Sequence, residues 1–414
     1  MNLNYKKINF HNSFSNTYFL LLFAMIPASI LFGPAISLSN ILIIIISFLF
    51  IFFRINSHFL LKDKSIIMLV ILYLYLILNS SISIDFEISV RRNFGFLRYI
   101  LLFIAINYFF QKKENLYNLN KIWLAIISLV LIDIAYEFNT GHNILGFEAD
   151  NKKRIVSFFK DEAIVGAFIN GFIFVLIGFL FVNYEKKNNL QKFLIYAFII
   201  FVISCMIFTG ERSNTIKLFV GLFLFFWLNN KINFKYKLFF ALSGLCIFLF
   251  SFYQFTEIKH RYYNDIILKF SDEDKRKNYI YFQLYKSGIE VFKTKPYFGV
   301  GNKNYRVVTC GIPNKELICN SHPHQIYLEF LSEHGVLGTL ILLGIIFYLL
   351  FKNLKIILLS RNFIQIGCFC YLLTVFLPLL PGGSFFSDFN ATMFWINFSL
   401  FYASNLNTNI FTRA

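Results

Sequence analysis

Long apolar blocks recur along the whole chain, and they limit its fold more than any other feature. They lie near residues 17–35, 37–53, 65–80, 95–110, 120–136, 163–183, 192–208, 214–229, 238–254, 328–351, 363–379 and 391–405. Roughly 20 apolar residues cross the hydrocarbon core of a bilayer as a helix. Lipid offers no hydrogen bonds to the backbone, so each segment must satisfy its own polar groups, which a helix does. The blocks are too long and too evenly apolar for barrel strands. The pattern predicts an all-α, polytopic integral membrane protein with about twelve transmembrane helices. Composition agrees, because only 15% of the residues are charged against about a quarter in a soluble domain.

The net charge of +17 invites a nucleic-acid reading, which the placement of the charge opposes. With both termini inside, the short inner segments carry Lys6, Lys7, Arg54, Lys62, Lys64, Lys112, Lys113, Lys121, Lys186, Lys187, Lys192, Lys231, Lys235, Lys237, Lys352, Lys355, Arg361 and Arg413. Against them stand Asp63, Glu114 and Glu185, and the outer connections near 33–38 and 380–390 hold no Lys or Arg. That is the positive-inside asymmetry of a membrane protein. It predicts cytoplasmic termini and no nucleic-acid partner. The first apolar block, following Lys6 and Lys7, reads as a retained helix rather than a cleaved signal.

The even rhythm of spans breaks at 137–162 and at 252–325, both on the outer side. This divides the chain into residues 1–251 with nine helices and a short outer loop, an outer subdomain at 252–325, and residues 326–414 with three helices. In the subdomain, Ser271-Asp272-Glu273-Asp274 has the form of a capping box. Ile280, Leu284, Gly288 and Val291 then recur at helical spacing, and Arg276 shares their stripe one turn earlier. Cys310 and Cys319 share this outer segment, where a disulfide would survive in an oxidising compartment, although two thiols in one loop can also stay free.

Arg98, Asp133, Arg212 and Lys217 border the spans, all at their outer ends. None is at mid-depth, where the relays and sites of secondary transporters are expected. Chemistry is therefore expected at the outer surface. In "NSHPHQIYLEFLSEHGVLG", residues 320–338, three of the seven histidines gather before a long apolar run. Ser321 or His322 can cap a helix there, with Pro323 in its first turn and His324 next. A helix N-terminus disfavours imidazolium and keeps such a ring neutral, the form that accepts a proton. A polar residue capping a membrane helix is the plainer reading. His322, His324 and His334 lack the spacing of a metal motif, and no metal or other cofactor is expected.

"FTGERSNTI", residues 208–216, puts Arg212 in a tight turn between two spans. A snorkelling arginine accounts for it, and so does a guanidinium fork held for phosphate oxygens. Arg154 in "NKKRIVSFFKDEAIVGAF" and Arg276 lie on the same side. "YFGVGNKNY" is an isolated G-x-G without P-loop context, and no G-x-S-x-G elbow occurs.

Taken in order, "RIVSFFKDEAIVGAF", "TGERSN", "KRKNYIYFQLYKSGIEVFKTKPYFGVG" and "HPHQIYLEFLSEHGVLG" resemble the O-antigen ligase and O-antigen polymerase family of polytopic membrane glycosyltransferases. The likeness runs from about residue 90 to the end and includes the final loop "PGGSFFSDFNATMFW". The family histidine is commonly followed by Asn, where this chain has Gln325. The resemblance implies transfer of a glycan from a polyprenyl diphosphate carrier at the periplasmic face of the bacterial inner membrane, without nucleotide sugar or required metal. The acceptor is lipid A–core in the ligases and another carrier-linked glycan in the polymerases. It implies His324, Arg212 and Arg276 as catalytic residues, with Arg154, His322 and Arg98 binding substrate. The single dominant outer subdomain leans towards ligase. A flippase of lipid-linked glycans is the rival class and would show pseudo-symmetric halves around a midplane cavity. A receptor or scaffold would scatter these residues.

Overall fold

The structure is a computed structural model that describes residues 13–54, 58–148, 154–160, 162–229, 232–268, 271, 278–311 and 317–413. Its helices are α1 (Ser13–Ala24), α2 (Ile26–Leu31), α3 (Pro34–Phe52), α4 (Lys64–Ser81), α5 (Phe86–Gly95), α6 (Leu97–Phe109), α7 (Lys113–Thr140), α8 (Val165–Leu180), α9 (Asn189–Phe208), α10 (Arg212–Leu228) and α11 (Phe234–Gln254). They continue with α12 (Thr256–Lys259), which runs into a π-wound segment His260–Leu268, then α13 (Ile280–Thr294) and α14 (Tyr305–Gly311). The last four are α15 (Ile326–Phe351), α16 (Leu354–Ser360), α17 (Phe363–Val375) and α18 (Asp388–Ala403). Among the described residues there is no strand, so the protein is the all-helical, polytopic membrane architecture that its apolar blocks predict.

Among the described residues, six helical segments are long and apolar enough to cross a bilayer. Each remaining block also finds a helix, but a shorter one. The block 17–35 breaks at Met25 into α1 and α2, with Pro27 in the first turn of α2, where its missing N–H costs nothing.

Two short helices form the centre. Almost every residue of α8 from Val165 to Phe179 is buried, and α17 packs directly along it. Cβ atoms at Gly367 and Gly178 would collide with the Phe174 and Phe363 carbonyls, so only glycine permits this backbone approach. The aromatic side chains of α18, among them Trp395, Phe398 and Tyr402, close the next layer against Phe96, Tyr99 and Phe103 at the start of and along α6.

The outer helix α13 buries Leu284, Ser287, Gly288 and Val291, while Ile280 is exposed. It lies on the first part of α15. That long helix is broken at Gly335, whose φ is 64° and ψ −173°. The reason lies in "YFGVGNKNY". Val300 N–H donates to Ser332 O and Val336 N–H to Pro296 O, each at 2.9 or 2.8 Å, so an extended segment replaces helical bonds at the break. Gly299 (φ 72°) and Gly335 are pressed backbone to backbone, against Glu333 and Tyr297 respectively. The glycines of this G-x-G admit another peptide chain rather than a phosphate. Asn302, Asn304, Asn79, Asn93 and Ser89 then knot the segment onto α4 and α5.

Candidate active site

The turn before α15 differs from its expected form. The helix starts at Ile326, and Gln325 is its cap, accepting from Leu328 N–H at 2.7 Å. His324 precedes the helix in the left-handed region, φ 56°, because its carbonyl is drawn aside to accept the Gly382 N–H at 2.9 Å. Pro323 is buried against α13, where a Cβ at Gly288 would come within 3.0 Å of it. The histidine turn is thus seated on α13 and on the loop following α17.

The rings of His322 and His324 lie 4.0 Å apart. His322 Nε2 faces the Gly382 carbonyl at 3.3 Å and Nδ1 faces the Ser321 hydroxyl at 2.9 Å. A neutral ring protonated on Nε2 satisfies both. Burial, then the charge of Lys303, lowers His322 to about 4, partly offset by the Gly382 carbonyl. Burial, then His322, lowers His324 to about 4 as well. Both rings are neutral near pH 7. Desolvation holds both so, aided by Lys303 at His322 and by His322 at His324, where the helix terminus had been expected to.

Arg212 stands at the first residue of α10. Its guanidinium donates to the Arg261 carbonyl at 3.1 Å and to Tyr279 Oη at 3.2 Å. Arg261, in the π-wound segment, is itself buried and donates to Gly210 O through Nε and Nη2. Two guanidiniums therefore grip one turn. Between them Glu211 accepts from the Gly166 N–H at the start of α8 and from Asn214, both at 2.6 Å. Burial pushes Glu211 up to about 7, against the opposing effects of Gly166, Asn214 and Arg154. Arg154 is thus within electrostatic reach of the same turn. Its segment is pinned there by Ile155 N–H on Thr209 O, and by Val156 and Ser157 N–H on the Glu137 carboxylate of α7.

The two parts meet through aromatic rings. Tyr279, bonded to Arg212, packs at 5.5 Å on Tyr281, and Tyr281 packs at 5.9 Å on His324. Beside this bridge a cavity of about 90 Å³ is lined by Asn170, Asn214, Lys217, Gly382, Gly383 and Asn390, with apolar walls from α15 and α17. Asn170 is buried, donates to Asn214 O at 2.8 Å, and leaves its Oδ1 without a partner among the described residues. A lysine, three amides and an open acceptor make a polar recess sized for a few water molecules or one small polar group.

The other expected residues fall elsewhere or outside view. Arg276, with Asp272, Glu273 and Asp274 of the capping motif, lies outside the described residues. Arg98 bonds to Asp388 at the start of α18, which Arg92 also contacts at 2.8 Å, so it anchors the first turn of that helix. His334 does not join the other two histidines. It is fully buried under Tyr75, Phe330 and Phe386, with Nδ1 3.1 Å from Tyr75 Oη. Among the described residues no cluster of three or more His, Cys, Asp or Glu is placed to hold a metal ion. Cys310 and Cys319 are joined by a disulfide.

Sequence reasoning passed over Glu329, Glu333 and Lys303. Glu329 is buried and accepts from Phe385 N–H at 2.9 Å and from the Ser384 hydroxyl. Lys303 donates to Ser384 at 2.6 Å and lies within electrostatic reach of Glu329, Glu333 and His322. This centre fixes the loop that supplies Gly382. Two glutamates one turn apart in an otherwise apolar helix were the available signal.

Residues 197–343 match the family model described as O-antigen ligase, and the chain carries that domain, from the family that its motifs resemble. The matched stretch contains the Arg212 turn, Tyr279, Tyr281 and the His322–His324 turn. No curated protein matches the chain. An O-antigen ligase domain on an all-helical membrane architecture supports, in general, an enzyme of O-antigen ligase or polymerase type.

Proposed function

We propose that the protein is a ligase-type glycosyltransferase that moves a glycan from a polyprenyl diphosphate carrier to a lipid A–core sugar at the periplasmic face of the inner membrane. The observation that carries this reading is the short aromatic bridge from Arg212 to His324, which joins a guanidinium fork to a neutral imidazole. The inward placement of Lys and Arg supports that orientation.

In this mechanism the acceptor hydroxyl oxygen attacks the anomeric carbon while His324 removes its proton. The bond from that carbon to the diphosphate oxygen breaks, and the electron pair leaves on the diphosphate. Its growing charge is met by Arg212 and Arg154, with Arg276 added from the family resemblance alone. Attack from the face opposite the leaving group inverts the anomeric centre. His322 keeps His324 neutral and helps seat the acceptor, and Lys217 and Asn170 offer polar contacts in the adjoining recess. Arg98 holds the α18 end of the pocket through Asp388.

Deleting the gene and separating lipopolysaccharide by gel tests the assignment. Loss of all capped polymer, with carrier-linked chains accumulating, is the expected result. A single capped repeat would instead identify a polymerase, and accumulation of carrier-linked glycan on the cytoplasmic side would identify a flippase.

A further inference from the structure

A second recess lies at the other end of the same central helices. The polar recess beside the histidine turn touches Asn170 near the start of α8 and Thr374 near the end of α17. The second touches Phe181 just beyond the end of α8 and Phe363 at the start of α17. Asn170 and Phe181 stand 11 residues apart along α8, about 17 Å at 1.5 Å per residue. The recess has a volume of about 370 Å³, far larger than the 90 Å³ of the first.

Three cations line it: Lys113 from the start of α7, Lys186 from the turn after α8, and Arg361 from the turn before α17. Glu185 is the one acidic side chain in the lining, leaving an excess of positive charge. All three cations are exposed, whereas Phe181, Phe363 and Ile364 beneath them are buried. Ser404 on this floor is 6% exposed, and its Oγ has no hydrogen-bond partner among the described residues. The N-termini of two helices converge on the recess, and that of α7 has no side-chain cap. Helix N-termini favour anions through unpaired N–H groups and the positive end of the dipole. Arg361 is turned towards the recess by a left-handed backbone, φ 51°, that ends α16.

We infer that this recess is a binding site for the phosphate headgroup of an anionic phospholipid. A cationic rim above an apolar, aromatic floor, between the ends of membrane helices, matches an anionic headgroup above and acyl chains beside it. A bound headgroup would tie the ends of α7, α8 and α17 together, giving the thin central pair α8–α17 a clamp at the end remote from chemistry. On the orientation proposed above, the lipid comes from the cytoplasmic leaflet. The inference itself needs only the recess and is independent of the transfer reaction.

The test is binding of phosphatidylglycerol to the purified full-length protein, by native mass spectrometry and by thermal melting in mixed micelles. Phosphatidylcholine and inorganic phosphate serve as comparison probes. Phosphatidylglycerol is expected to be retained and to raise the melting temperature, with phosphatidylcholine and phosphate ineffective. At about fivefold in affinity per cation near a membrane surface, Arg361→Gln weakens retention about fivefold. The combination of Lys113→Gln, Lys186→Gln and Arg361→Gln weakens it about a hundredfold. Lys355→Gln removes an exposed charge outside the recess and leaves retention unchanged. Equal retention by Arg361→Gln and the unaltered protein overturns the inference, as does an equal loss with Lys355→Gln. Stabilisation by inorganic phosphate alone would show a free-anion site and overturn the lipid. Should the triple variant not fold, Arg361→Gln and Lys355→Gln decide the matter.

Discussion

His324 and His334 stand ten residues apart beside one helix, and their surroundings could hardly differ more. His324 sits before α15 in a left-handed turn, half-buried, its ring against His322 and Tyr281. His334 sits one residue before the Gly335 break, fully buried between aromatic rings, with Nε2 unpartnered among the described residues. Residue type and neighbourhood in sequence are shared, yet of the two only His334 is wholly buried. What separates them is the backbone. Gly382 N–H holds the His324 turn through its carbonyl, while the 296–301 segment bonds the chain on both sides of Gly335, beside His334.

Substituting each histidine breaks the comparison if the assignment is mistaken. His324→Ala is expected to lower transfer by roughly 10²–10⁴-fold, the usual contribution of a positioned base, with an unchanged melting temperature. His334→Ala is expected to do the reverse. It removes the partner of Tyr75 Oη and opens a void, costing roughly 1–3 kcal/mol, and the folded fraction keeps its activity. Transfer assays in proteoliposomes, paired with melting curves, check both. Equal stability loss in the two variants would erase the distinction.

Gly335→Ala sharpens it through the backbone. A Cβ there would meet the Tyr297 carbonyl, and the positive φ adds strain. Roughly 3 kcal/mol of destabilisation is expected from the two together. Release of the 296–301 segment should show as faster hydrogen exchange at Val300 and Val336, with the Arg212 turn unaffected.

Arg212→Lys keeps the charge and loses the fork that bonds Arg261 O and Tyr279 at once. About a tenfold fall in transfer, one decade or 1.4 kcal/mol, is expected. It should appear with donor rather than acceptor varied. Full activity in this variant would remove the clamp.

Much of this architecture was legible from the apolar blocks, because twenty greasy residues in a row leave the backbone one way to satisfy itself. The placement of charge suggested a common side for Arg154, Arg212 and His324, and the aromatic link between Arg212 and His324 was not legible from it. Three things were hidden. Helix lengths were one: α8 and α17 run shorter than their blocks, because the close approach at Gly178 and Gly367 belongs to tertiary packing. The Gly335 break was another, since its cause is a chain segment nearly forty residues away in sequence. The third was Tyr279 and Tyr281, ordinary aromatic residues in a chain with 23 Tyr and 57 Phe, which become a bridge only once α13 is docked on α15. Glu329 and Glu333 could have been found, because two carboxylates one turn apart in an apolar helix require a buried partner.

The finest discrimination lies in pH. An ordinary histidine titrates near 6.5, but His324 is lowered to about 4 by burial and by His322. Its base form therefore persists through pH 5, and the acid limb of the transfer rate is expected near pH 4 rather than 6.5. His322→Gln removes the neighbouring imidazole and should move that limb upward, with little change in the plateau rate. Stability follows the same protons. Between 6.5 and about 4 the unfolded chain binds protons that the folded His322 and His324 refuse, so their contribution is full above 6.5 and declines as pH falls to about 4. Glu211, raised to about 7, acts in the opposite sense, losing stability as pH rises from 4.5 to about 7. In a Glu211→Gln background that opposing slope is gone, and melting temperature should fall steadily from pH 6.5 to pH 4. An acid limb near 6.5 in the unaltered protein would mean that the group titrating in transfer is not this ring in this turn.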